Sequence, residues 1–75
     1  MGTAAKSTAK QFILVRKEDV SGTSGTGVVA EGVEFSNGQA VLHWLSQLDS
    51  VAVYANVKTL IAIHGHDGRT ELVWV

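Results

Sequence analysis

Residues 27–44 read Gly27-Val28-Val29-Ala30-Glu31-Gly32-Val33-Glu34-Phe35-Ser36-Asn37-Gly38-Gln39-Ala40-Val41-Leu42-His43-Trp44. Two apolar runs flank Asn37-Gly38, the dipeptide that most favours a type I′ hairpin turn, in which both central residues take positive φ. With Asn37 and Gly38 as a two-residue loop, Phe35 pairs with Ala40, Glu34 with Val41 and Val33 with Leu42. Phe35, Val33, Ala40, Leu42 and Trp44 then share one face, and Glu34, Val41 and His43 share the other. A single register accounts for the pattern of both strands, which is how register is ordinarily set. Gly32 falls where the apolar phase of the first strand changes, so a bulge or sharp bend is expected there. Small barrels use such corners to close.

The flanking segments extend a β pattern. Residues 12–16, Phe-Ile-Leu-Val-Arg, suit a buried first strand. Residues 20–27 are rich in Gly, Ser and Thr and read as a loop. No Gly-Lys-Ser/Thr follows those glycines, and the next segment is strand-like, so a phosphate-binding loop is not supported. Residues 45–50 form a turn, and residues 51–54 a strand with Val51 and Val53 on one face and Ala52 and Tyr54 on the other. Asn56 is an N-cap residue. Val57, Leu60, Ile61 and His64 recur at helical spacing, and Gly65 stands as the C′ residue. A rival reading makes residues 60–64 a strand that turns at Asp67-Gly68; caps at both ends favour the helix. Residues 70–75 form the last strand either way.

The chain has 75 residues, no cysteine and no proline, with 6 basic and 7 acidic residues for a net charge of −1. That length holds one small domain of modest stability, without disulfides or cysteine zinc sites to strengthen it. The charge balance provides no strong field for nucleic acid. A hydrophobic content of 45% against 17% charged excludes an intrinsically disordered chain. No apolar run approaches the roughly 20 residues of a membrane span, so no membrane partner is expected. No apolar segment of the signal-peptide kind lies between Lys6 and Lys10, and the cytoplasm is the expected location. Residues 1–10 are expected to be a disordered tail, and residues 11–75 a single small β-barrel domain.

The order is strand, long loop, strand, hairpin, strand, turn, strand, short helix, strand. It resembles the small five-stranded barrels of the Src-homology type, without their proline-binding aromatic motif. The fold class expected is mostly β: a small five-stranded barrel of this kind, or a strongly bent antiparallel sheet, with one short helix before the last strand. The phrases Ser-Gly-Thr-Gly-Val-Val-Ala-Glu-Gly-Val-Glu-Phe and Ile-His-Gly-His also resemble a group of short bacterial and phage proteins, a likeness that brings no activity with it.

The side chains with chemical potential are few. His64, His66 and Asp67 offer zinc-type donors, with His43 a further nitrogen if the fold brings it near. The preferred reading makes His64 a helix end and His66-Asp67-Gly68-Arg69 a turn, so no metal or cofactor is expected. Ser24 lies among glycines but lacks the Gly-x-Ser-x-Gly elbow, and no enzymatic activity is expected. The five aromatics, Phe12, Phe35, Trp44, Tyr54 and Trp74, are assigned to the core. Leu72 and Trp74 face one way on the last strand, and Val73 and Val75 the other, so that strand invites a partner chain. The function expected is therefore a protein-binding or assembly module, a phage or mobile-element accessory protein working as a homodimer. Its contacts are Ser21, Gly22, Thr23, Ser24 and Gly25 of the loop, with Val73 and Val75 at the dimer. The alternative is a single-strand nucleic-acid binder using Arg16, Lys17, Lys58 and Arg69 with Tyr54.

Overall fold

The computed structural model describes residues 8–17, 27–45, 49–65 and 68–75. Five strands and one helix follow in order: β1 Lys10–Arg16, β2 Gly27–Glu34, β3 Ala40–Trp44, β4 Ser50–Tyr54, α1 Val57–His64 and β5 Thr70–Trp74. They form one antiparallel sheet in the order β4-β3-β2-β1-β5. The mostly-β architecture and the short helix before the last strand are those expected. The sheet is open, however: β4 and β5 are its two edges, and no pairing among the described residues closes a barrel. β1 begins at Lys10, opposite Glu34, one residue before the expected start of order.

The corner expected at Gly32 is displaced. Pairing runs through Gly32 without interruption, with Phe12 opposite Gly32 and Ile13 opposite Glu31. The irregularity lies instead between Leu14 and Val15, whose partners are Ala30 and Val28. The extra residue is Val29, and it is buried beside Ala30. Gly32 has a different duty. A β-carbon there would stand 2.4 Å from Phe12 Cζ and 2.6 Å from the Val41 carbonyl oxygen. Glycine leaves room for the Phe12 ring to lie across β2.

The hairpin differs from the expected one by a single residue. Glu34 pairs with Ala40, Val33 with Val41 and Glu31 with His43. Phe35 N–H donates to the Gln39 carbonyl at 2.8 Å, and Gly38 N–H to the Phe35 carbonyl at 2.9 Å. The loop thus has three residues, with Gly38 at φ 92°. This is the hairpin in which a type I turn is followed by a left-handed glycine. Asn37 Oδ1 accepts from Gln39 N–H at 3.0 Å and braces the turn. A one-residue slip exchanges the faces of a strand. Val33 and Phe35 therefore leave the core face for the opposite one, and Glu34 takes their place.

The core lies between the sheet and α1. Phe12, Leu14, Val29, Ala30, Ala40, Leu42 and Leu60 are buried, with Trp44, Tyr54, Val57 and Leu72 packed against them. Asn56 is the N-cap, its Oδ1 accepting from Thr59 N–H at 2.7 Å. An eight-residue helix has no independent stability in water. Leu60, fully buried, docks it and contributes about 1.5–3 kcal/mol. Gly65 caps the C-terminus at φ −71°, not in the left-handed conformation expected of a C′ glycine; positive φ occurs at Gly68. Phe35 and Trp74, assigned to the core by sequence, are about half exposed.

Candidate functional site

Cross-strand partners share a face, so the register defines what each side of the sheet displays. The side under α1 holds the core. The other side has no layer over it among the described residues. One row across it reads Val73, Ile13, Glu31, His43, Val51 from β5 to β4. The next reads Gln11, Val33, Val41, Val53. Val51 and Val53 are 63% and 65% exposed, at the outer edge of both rows. Between the rows lies a shallow depression of about 460 Å³, lined by Gln11, Glu31, Gly32, Val33, Phe35, Val41 and His43.

The polar centre of this face is His43. Its Nδ1 lies 3.0 Å from Glu31 Oε2, and its Nε2 lies 3.6 Å from Asp49 Oδ1. The hydrogen bond to Glu31 raises the His43 pKa above its ordinary 6.5; burial opposes the rise, and the negative charges of Asp49 and Glu31 add to it. As an imidazolium, His43 donates to Glu31 on one side and forms a looser ion pair with Asp49 on the other. The group is a charged bridge within an apolar surround. Among the described residues no cluster of three metal-type ligands forms.

A second groove, of about 380 Å³, runs between α1 and β5. Val57, Ile61, Leu72 and Trp74 are its apolar lining, and Lys17 and Glu71 lie on its rim. Lys17 Nζ and Glu71 Oε2 are 3.3 Å apart. Trp74 meets Phe12 edge-on at a centroid distance of 5.7 Å.

The candidate residues read from sequence are dispersed. Ser21, Gly22, Thr23, Ser24 and Gly25 lie outside the described residues, as do His66 and Asp67. Val73 lies on the uncovered face and Val75 is exposed just beyond β5. Arg16 is only 7% exposed and its Nε donates to Thr70 Oγ1 at 3.3 Å, which draws the guanidinium into the buried layer. Lys17 and Arg69 meet through the backbone at the β1–β5 end, Lys17 N–H donating to the Arg69 carbonyl at 2.7 Å. Tyr54 stands on the opposite edge strand, its hydroxyl 2.7 Å from His64 Nε2, and Lys58 is on the helix. The five residues of the nucleic-acid alternative therefore do not form one strip. His64 packs edge-on to Trp44 at 5.0 Å and to Tyr54 at 5.7 Å. Sequence reasoning missed Glu31 and Asp49 as partners of His43, and Phe35 and Val33 as surface residues.

A family model described as Acb5 phage protein matches residues 9–75. No curated protein and no solved structure matches the chain.

Proposed function

The chain belongs to the Acb5 phage protein family, and we propose that it is a non-enzymatic phage accessory protein that acts in the cytoplasm by binding protein, as a homodimer. The uncovered face of the sheet carries this reading. Antiparallel sheets that meet water on one side usually alternate apolar inside with polar outside. Here the outward residues include Ile13, Val33, Val41, Val51, Val53 and Val73. Contiguous apolar surface of this kind marks an interaction site. At about 4.8 Å between strands and 3.3 Å per residue, five strands of five residues present roughly 400 Å². A standard interface takes about 800 Å² from each partner. The face therefore supplies about half of one, and an edge or a loop completes it. The loop at residues 21–25 and the β2–β3 hairpin remain parts of this proposal.

The test uses a photo-crosslinking amino acid at Val41 on the face, or at Lys58 on the helix, in infected cells. Protein adducts from position 41 and few from position 58 are expected. No protein adducts from position 41, together with oligonucleotide binding that weakens steeply as salt rises, replaces this reading with the single-strand alternative.

A further inference from the structure

We infer that the second copy of this chain joins at the outer edge of β4, strand to strand, about a two-fold axis through Ala52. The inference rests on the homodimer reading and supplies its interface, which sequence reasoning had placed at the last strand.

The backbone directions follow from the hydrogen bonds. Phe35 N–H donates to the Gln39 carbonyl, and Leu45 N–H to the Val29 carbonyl at 3.0 Å. Hydrogen-bonded and non-bonded pairs alternate in an antiparallel ladder. Odd-numbered residues of β3 thus turn their backbone groups toward β2, and Ala40, Leu42 and Trp44 turn theirs toward β4. Their partners on β4 are Tyr54, Ala52 and Ser50. Val51 and Val53 are left with N–H and C=O directed away from the sheet, at an edge no described strand covers.

These two residues are symmetric about Ala52. In an antiparallel pairing centred there, Val51 of each copy faces Val53 of the other, and each such pair exchanges two backbone bonds. The Ala52 residues meet as the close, non-bonded pair, where a methyl side chain is the least obstructive. Two-fold interfaces require this kind of self-complementarity. The side chains agree with it. Val51 and Val53 of both copies form one apolar cluster on the uncovered face. On the other face Ile63, 56% exposed, lies about 200° around α1 from Ile61. Ile61 lines the groove toward β5, so Ile63 flanks the β4 side and extends the contact. Ser50–Tyr54 carries no Asp, Glu, Lys or Arg, and no like charges oppose one another along the seam.

The β5 edge offers a similar backbone geometry about Val73, with two differences. Glu71 and its partner Lys17 put charges beside that edge, and charged side chains are how edge strands are kept from pairing. Thr70 N–H is already committed, donating to the Gly65 carbonyl at 3.0 Å. The β4 edge has no charge within the strand, and Asp49 just before it is engaged with His43 at 3.6 Å.

The chain has no cysteine, so one introduced thiol reports contact between copies. A non-bonded antiparallel pair has its α-carbons about 4.5 Å apart, within the range a disulfide spans. Ala52→Cys should give a disulfide-linked dimer under mild oxidation, and Val73→Cys should not. By sedimentation at tens of micromolar the parent should be a dimer. Val51→Lys/Val53→Lys should be a monomer with a melting temperature set by the monomer fold, since both side chains are exposed. Val53→Pro gives an independent variant: its N–H makes no bond within the sheet, so proline removes only the intermolecular donor. A dimeric parent that stays dimeric in the lysine and proline variants, or that cross-links through Val73→Cys instead, overturns the β4 seam and leaves the homodimer. A monomeric parent overturns the homodimer reading itself.

Discussion

Gly32→Ala is the sharpest probe of how this core is assembled. The added carbon would lie 2.4 Å from Phe12 Cζ, 2.6 Å from Phe12 Cε1 and 2.6 Å from the Val41 carbonyl oxygen. Comfortable contact between carbon atoms is about 3.5–4.0 Å, so the neighbours must give by about 1 Å. Neither can do so cheaply. Phe12 is buried and its ring abuts Trp74. The Val41 carbonyl belongs to the β2–β3 ladder, where Val41 faces Val33. Overpacking ordinarily costs about 1–3 kcal/mol, and two immobile neighbours place this site near the upper limit. With about 4–8 °C per kcal/mol for a domain of this size, the melting temperature should fall by roughly 10–20 °C. Thermal melts followed by circular dichroism measure it, and a double-mutant cycle assigns the cause. Phe12→Leu removes the two close ring atoms but leaves the carbonyl, so Gly32→Ala should cost at least about 1 kcal/mol less in that background. A Gly32→Ala protein melting within about 2 °C of the parent, or strictly additive effects, would refute the packing of Phe12 across β2.

Other positions test separate parts of the fold. Gly38→Val should cost about 1–3 kcal/mol through backbone strain alone, since no atom lies within 4 Å of the added carbon; Gly38→Asn should cost less in the same denaturation assay, because asparagine tolerates positive φ. Asn56→Ala removes the acceptor for Thr59 N–H and should cost about 1 kcal/mol by urea titration. His43 has a folded-state pKa above 6.5, so the stability it contributes is complete below pH 6.5 and declines as pH rises through the folded-state value. His43→Gln should remove that decline from the parent's profile of melting temperature against pH; an unchanged profile would show that Glu31 and His43 are not coupled.

Much of the fold could be read locally because local signals and tertiary demands agree. Asn56 ahead of Val57, Leu60 and His64 marks the helix, and the apolar side of α1 docks through Leu60 as that spacing implies. The hairpin shows where local reading stops. Asn37-Gly38 suits a two-residue loop with both residues at positive φ, and equally a three-residue loop closing on Gly38. The choice is made by a residue distant in sequence: Phe12 needs Gly32 on the core side, opposite Leu42. That demand shifts the register by one and sends Val33 and Phe35 outward. The same shift conceals the polar site. In the two-residue register Glu31 would face Trp44, whereas in the structure it faces His43. Asp49 joins only because Ser50 pairs with Trp44 and brings the start of β4 back alongside His43.

A chain this short builds its core on one side of the sheet. Among the described residues a single eight-residue helix covers one face, and Leu60 is the side chain it buries fully. Valine on the opposite face has a local justification, since β-branched residues favour extended backbone whether or not they are covered. Isolated exposed valines need no further explanation. Local propensity does not account for their grouping, with Val33, Val41 and Val53 in one unbroken row and Val51 beside it, nor for their position at an edge. Edges in natural sheets are ordinarily blunted by charge, proline or a bulge. β4 has none of these among Ser50, Val51, Ala52, Val53 and Tyr54, while its free backbone groups are symmetric about its smallest side chain. Strand propensity can be met with threonine on such an edge, at no risk of apolar association. Valine at both outward positions, with alanine between them, is the arrangement that the proposed β4 pairing uses.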